Sequence, residues 1–134
     1  MSATQSQAAA LLDIADLSTH YGRIQALHGV SLSVPKGSLV ALVGANGAGK
    51  TTLLRTISGV HRASGGKISF DGVDITRTAS DKRVRSGISQ VPEGRQVFGP
   101  MSVEDNLMLG AYTRPVAEAA QSLERIYKMF PALE

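Results

Sequence analysis

Apolar and polar residues alternate along residues 12–17 and again along 27–34, most strictly in Val30-Ser31-Leu32-Ser33-Val34. A period of two predicts strands with one wet face. Pro35-Lys36-Gly37 breaks the pattern, and residues 38–43 then form a short apolar run bounded by Gly44. That run predicts a strand buried on both faces. From Thr51, the residues Leu53, Leu54 and Ile57 fall at helical spacing, with Gly59 as the stop. In residues 67–75, Asp71-Gly72 stands between strand formers, which is a hairpin signal. Residues 88–91 predict another brief strand, closed by Pro92 and Gly94. Ser102, followed by Glu104 and Asp105, predicts an N-cap with acidic residues at the positive end of a helix. Val116, Ala119, Leu123, Ile126, Tyr127 and Phe130 form one stripe of a terminal helix, with Glu124 and Lys128 paired four apart and Pro131 as the stop.

A chain of 134 residues has the size of one ordinary domain and can bury roughly two-thirds of its unfolded surface. No stretch approaches the roughly 18 continuous apolar residues of a membrane helix, and the first residues lack a basic segment ahead of their apolar portion, so they do not read as a secretory signal. There is no cysteine, which excludes a disulfide framework. The 14 basic residues outnumber the 11 acidic ones, with a cluster at Arg77, Lys82, Arg83, Arg85 and Arg95. The cluster has no interleaved aromatics and reads as a solvated helix face, so no nucleic-acid partner is expected.

Candidate chemistry enters at Gly44-Ala45-Asn46-Gly47-Ala48-Gly49-Lys50-Thr51, which satisfies G-x-x-x-x-G-K-[ST] at every fixed position. Such a loop needs a buried strand to fix it and glycines that let backbone N–H groups approach phosphate oxygens. It also needs a helix whose N-terminus adds positive potential. The predicted elements come in that order. Lys50 then reaches the β and γ phosphates, the Thr51 hydroxyl coordinates a Mg²⁺ that bridges them, and Thr52 lies next to the α phosphate. The expected ligand is ATP.

The stretch from Tyr21 through Val34 (YGRIQALHGVSLSV), ahead of GANGAGKTT, resembles the ATP-binding subunit of ATP-binding-cassette transporters. The later VPEGRQVFGPMSVEDNLMLGAY is similar to one branch, the second ATPase subunit of bacterial branched-chain amino-acid importers. The resemblance runs from Leu12 to Glu134. It implies an α/β fold: a P-loop NTPase core with an antiparallel β subdomain and the start of a helical subdomain, its sheet incomplete on the C-terminal side. Residues 1–10 are then a flexible N-terminus and 11–134 the N-terminal part of a nucleotide-binding domain. Tyr21 falls where the family stacks an aromatic on adenine. Glu93 falls where most of the superfamily has a glutamine that touches Mg²⁺ and the attacking water. A carboxylate there departs from the general pattern and suits this branch. The implied partners are a second ATPase subunit, two membrane permease subunits contacted near residues 93–110 and, indirectly, a periplasmic binding protein, all at the cytoplasmic face of the inner membrane.

Three features imitate parts of this family. Ser64-Gly65-Gly66-Lys67 has the look of its signature loop but leads into a strand, so it reads as a turn. Leu11-Leu12-Asp13 resembles a Walker B strand yet precedes the loop and is followed by Ile14. His20, His28 and His61 lie too early for the family's switch histidine and read as surface or turn residues. The signature loop, Walker B carboxylates and switch histidine that hydrolysis needs in this family do not occur up to Glu134, so the sequence reads as the N-terminal portion of a transport ATPase. A fragment that binds nucleotide without hydrolysing it, or a regulatory module, is the alternative. The solute is open, with urea and short amides beside branched-chain amino acids.

Overall fold

The computed structural model describes residues 9–45 and 47–134. Of the expected flexible start, positions 1–8 lie outside the described residues. The Lys36 N–H already donates to the Ala9 carbonyl at 3.3 Å, and the first strand begins at Ala10. The chain divides into two compact units, one reaching Gln90 and the other running from Val91 to Glu134.

In the first unit, β1 (Ala10–Tyr21) and β2 (Ile24–Pro35) form a long antiparallel hairpin. Its turn has Gly22 at φ 60°, the left-handed geometry that a tight two-residue hairpin asks of its first central residue. β3 (Gly65–Phe70) pairs with the other edge of β1, and β4 (Val73–Asp74) follows through the predicted Asp71-Gly72 turn, giving the order β2-β1-β3-β4. Both turn residues have positive φ, 47° and 79°. Asp74 then accepts from the Thr76 hydroxyl at 2.6 Å and the Thr76 N–H at 2.9 Å, bonds that hold its carboxyl below the usual range. β1 is bulged: its pairing shifts between Ile14 and Leu17, and Asp16 sits at φ 50°. Gly66 faces this bulge so closely that a Cβ there would lie 2.4 Å from the Asp16 carbonyl oxygen. The Ser64–Lys67 segment leads into a strand as expected, but it is not itself a turn: Gly65, Gly66 and Lys67 already belong to β3.

Ile14, Leu17, Leu27 and Ile68 make the sheet side of the core, joined by Ile75 and by Leu53 of α1 (Lys50–Ser58). The helix ends where the sequence indicated, on Gly59 at φ 84°. Its C-terminus is fastened by α2 (Ser80–Ser86) through one side chain. Arg83 is only 3% exposed and donates to the carbonyls of Thr56 and Ile57 at 2.9 Å, Thr78 at 2.8 Å and Thr76 at 3.1 Å. This corrects the reading of the basic cluster as a wholly solvated face. The planar fork spans four acceptors that a surface arginine would leave to water.

Two predicted strands do not form. Residues 39–43 have no ladder partner among the described residues, and Leu39 and Val43 are 99% and 95% exposed. Residues 88–91 are likewise not strand. The composition of both runs suits a buried parallel strand, but a strand exists only where at least one neighbour supplies ladder hydrogen bonds.

In the second unit, α3 (Val103–Gly110) has the predicted cap, Ser102 Oγ accepting from the Asp105 N–H at 3.1 Å. Asn106 ties this helix to the loop before it, its side chain bonding both the N–H and the carbonyl of Phe98. α4 (Val116–Met129) buries Ala119 and is followed by a 3₁₀ turn at Pro131–Leu133. Val116 and Phe130, the ends of the predicted stripe, are exposed. The expected Glu124–Lys128 ion pair is not made: among the described residues the ion pair is Lys36–Asp71, at 2.8 Å on the surface.

Arg83→Met keeps much of the side chain's volume and removes four donors, so it is expected to lower the unfolding free energy by about 2–4 kcal/mol. Arg83→Lys should recover less than half of that, because one ammonium cannot span the fork. Urea melts followed by circular dichroism decide the matter, and equal stability of Arg83→Met and the parent chain would refute the anchoring role.

Candidate functional site

The N-terminus of α1 is open. Its N-cap is Gly49 at φ 94°, no side chain caps it, and its first turn holds no acidic residue. The leading N–H groups of a helix have no intrahelical acceptor, and the aligned peptide dipoles make that end positive. Lys50 adds a full charge in the first turn. An end built this way suits an anion.

Glycine is needed at position 49 for two reasons. The left-handed backbone is one, and the other is space, because a Cβ there would stand 2.9 Å from Leu27 Cδ2 and 3.3 Å from the Ala26 carbonyl oxygen. The end of the loop is thereby seated against β2. Gly47, at φ 87°, needs glycine for its backbone alone, with open space around it. The loop also closes on itself. The Ala48 N–H donates to the Ala45 carbonyl at 3.1 Å, and Lys50 Nζ donates to the Gly44 carbonyl. Asn46 lies outside the described residues.

Thr51 is exposed and Thr52 half-buried. The Thr52 hydroxyl lies 3.4 Å from the Tyr21 hydroxyl, so the end of β1 reaches the first turn of α1. Tyr21, Lys50, Thr51 and Thr52, four of the residues singled out by the sequence, therefore share one region. Glu93 stands exposed at a bend of the second unit.

His61 was missed as a member of this region. Its ring stacks on Tyr21 with centroids 4.2 Å apart and planes 25° from parallel. Its Nε2 donates to the His20 carbonyl at 3.1 Å, while the His20 ring bonds the Ser64 hydroxyl at 2.7 Å. His20 and His28 are exposed, as the sequence reading had them, and His61 is half-buried. The one signal in the sequence was position: His61 comes two residues after the glycine that stops α1. Among the described residues, no three His, Asp or Glu side chains gather as a metal site. A divalent ion here would arrive with anionic ligand oxygens, and the exposed Thr51 hydroxyl is the protein group suited to meet it.

Comparison with known proteins fits this geometry. The ABC transporter family matches residues 27–133. The high-affinity branched-chain amino acid transport ATP-binding protein BraG of Pseudomonas aeruginosa is 41% identical over 124 residues, covering 92% of this chain and 53% of BraG. The sulfate/thiosulfate import ATP-binding protein CysA of Neisseria meningitidis is 43% identical over 107 residues, covering 80% of this chain and 29% of CysA. The chain thus spans about half the length, or less, of these curated relatives. Among solved structures, an ATP-binding subunit of an ABC transporter superposes with a TM-score of 0.76 at 30% identity, covering 90% of this chain and 50% of the other. A nucleotide-free ATP-binding cassette gives 0.71 at 30% identity, over 83% and 45%.

The two loop glycines should separate on substitution. Gly47→Ala forces only the backbone and is expected to cost about 1 kcal/mol, whereas Gly49→Ala also drives a methyl into Leu27 and should cost about 2–3 kcal/mol. Chemical denaturation of the two variants beside the parent measures both. Equal losses would mean that the loop is not seated on β2.

Proposed function

The chain belongs to the ABC transporter family, and on that premise we propose that it binds Mg·ATP on residues 44–52 as the nucleotide-binding part of an importer of branched-chain amino acids. The observation that carries the nucleotide reading is the uncapped, acid-free N-terminus of α1, with Lys50 and Thr51 in its first turn and Gly49 seated on β2. In this reading Lys50 contacts the β and γ phosphates, Thr51 meets the Mg²⁺ they carry, Thr52 borders the α phosphate, and Tyr21 stacks on the adenine.

Support for the branch comes from reach. The match to BraG takes in 92% of the chain against 80% for CysA, although the identities are similar. A sulfate importer is therefore the second reading. The proposed partners are a second ATPase subunit and two membrane permease subunits, the latter meeting residues 93–110, where Val97 and Phe98 are exposed. No helix among the described residues is long and apolar enough to cross a membrane. The proposed place is accordingly peripheral, at the cytoplasmic face of the inner membrane beside those permeases, with a periplasmic binding protein reached only through them. Glu93 is proposed to sense the permeases.

Calorimetry with Mg·ATP tests the loop. Lys50→Ala should weaken binding at least tenfold, since it deletes the fixed charge that meets the phosphates; unchanged affinity would sink the assignment. Phosphate release tests the extent of the function. Hydrolysis needs a general base to activate water, and the first turn of α1 holds no acidic residue to serve as one, so the chain alone is expected to stay at background. Appending a homologous C-terminal half should raise turnover. Hydrolysis by the 134-residue chain, lost on Lys50→Ala, would overturn this division of labour.

A further inference from the structure

We infer that His61 is a positioning residue that backs the Tyr21 ring, so that the opposite face of the tyrosine is held ready for a purine base. The inference rests on the proposal that nucleotide binds beside α1, and it assigns a residue and a role to the base end of that site.

Tyr21 ends β1 and is 43% exposed. A half-exposed tyrosine held by nothing would sample several staggered rotamers, and stacking a base on it would then cost the entropy of choosing one. Here the ring is held at two places. Its hydroxyl meets the Thr52 hydroxyl at 3.4 Å, and one of its faces is covered by the His61 imidazole, 4.2 Å away and 25° from parallel. With 43% of the residue still exposed, His61 does not close the ring off from a ligand.

His61 can act as a backing because it is itself fixed. Its main-chain N–H donates to the Arg55 carbonyl at 3.1 Å, extending the end of α1. Its Nε2 donates to the carbonyl of His20, the residue before Tyr21. A carbonyl only accepts, so Nε2 carries the proton and ring orientation follows. One imidazole therefore grips the end of β1 through the main chain and the Tyr21 ring through its face. Among the described residues, none of its hydrogen bonds reaches the loop or the first turn of α1, so its influence should fall on the base and not on the phosphates.

The test compares Mg·ATP with Mg·tripolyphosphate, which has no base, by calorimetry on the whole chain. His61→Ala should weaken ATP roughly three- to tenfold, in line with a lost aromatic contact, and leave tripolyphosphate unchanged. His61→Phe keeps a stacking ring but loses the Nε2 bond to the His20 carbonyl, so it should cost less ATP affinity than His61→Ala. In a Tyr21→Ala background, His61→Ala should have no further effect. Equal loss of both ligands in His61→Ala, as large a loss of ATP in His61→Phe as in His61→Ala, or a full effect without Tyr21 would each overturn the inference. If Tyr21→Ala itself leaves the ratio of the two affinities unchanged, the base platform fails and this inference with it. The phosphate loop then stands or falls separately, on whether Lys50→Ala weakens tripolyphosphate.

Discussion

The guanidinium of Arg83 fixes the helix on which the candidate site depends. Four carbonyls converge on it, two from the last turn of α1 and two from residues 76–78. No carboxylate is among its partners, and burial lowers the pKa of the group. The charge is met instead by peptide dipoles at the negative end of α1, where a cation is stabilised and the last carbonyls need donors. The same helix begins at Lys50. Its two ends are rigidly related over nine residues, so a side chain that settles the C-terminus also settles where the uncapped N-terminus stands over β2. Leu53 and Gly49 complete the fixation, the first inside the core and the second against Leu27.

Much of this was legible from local pattern. The Asp71-Gly72 turn, the Gly59 stop and the Ser102 cap are short-range signals, because each is satisfied by residues a few positions away. Arg83 was not legible for the opposite reason. Within Ser80–Ser86 it sits among Lys82 and Arg85 in a segment that reads as solvated, and its acceptors at Thr56 and Ile57 lie some 26 residues back. His61 was hidden in the same way, the His20 carbonyl that its ring bonds lying 41 residues back, whereas Asn106 was hidden although its partners are local. Their roles lie in what they touch, and a lone Asn or His carries no such mark in the sequence.

The apolar run at residues 39–43 failed as a strand prediction for a different physical reason. Its composition is that of a strand buried on both faces, but burial is supplied by other strands, and none of the described residues pairs with it. Sequence pattern reports what a segment could bury, while the ladder decides whether it does.

This bears directly on how well the loop can hold phosphate. A phosphate loop gains affinity from preorganisation, since every backbone N–H that must be ordered on binding costs free energy that the ligand contacts have to exceed. On the α1 side the loop is ordered by Gly49 against Leu27 and by the fixed helix. On the other side it leaves residues 39–43, whose side chains face water. The loop is thus held at one end, and Lys50 spends its ammonium on the Gly44 carbonyl, a contact that phosphate would have to displace. Pairing residues 39–43 into a sheet would tether the second end without altering a single residue of the loop. Under the proposed reading, the phosphate affinity of this chain would therefore depend on whether that run is paired as well as on Lys50 and Thr51 themselves.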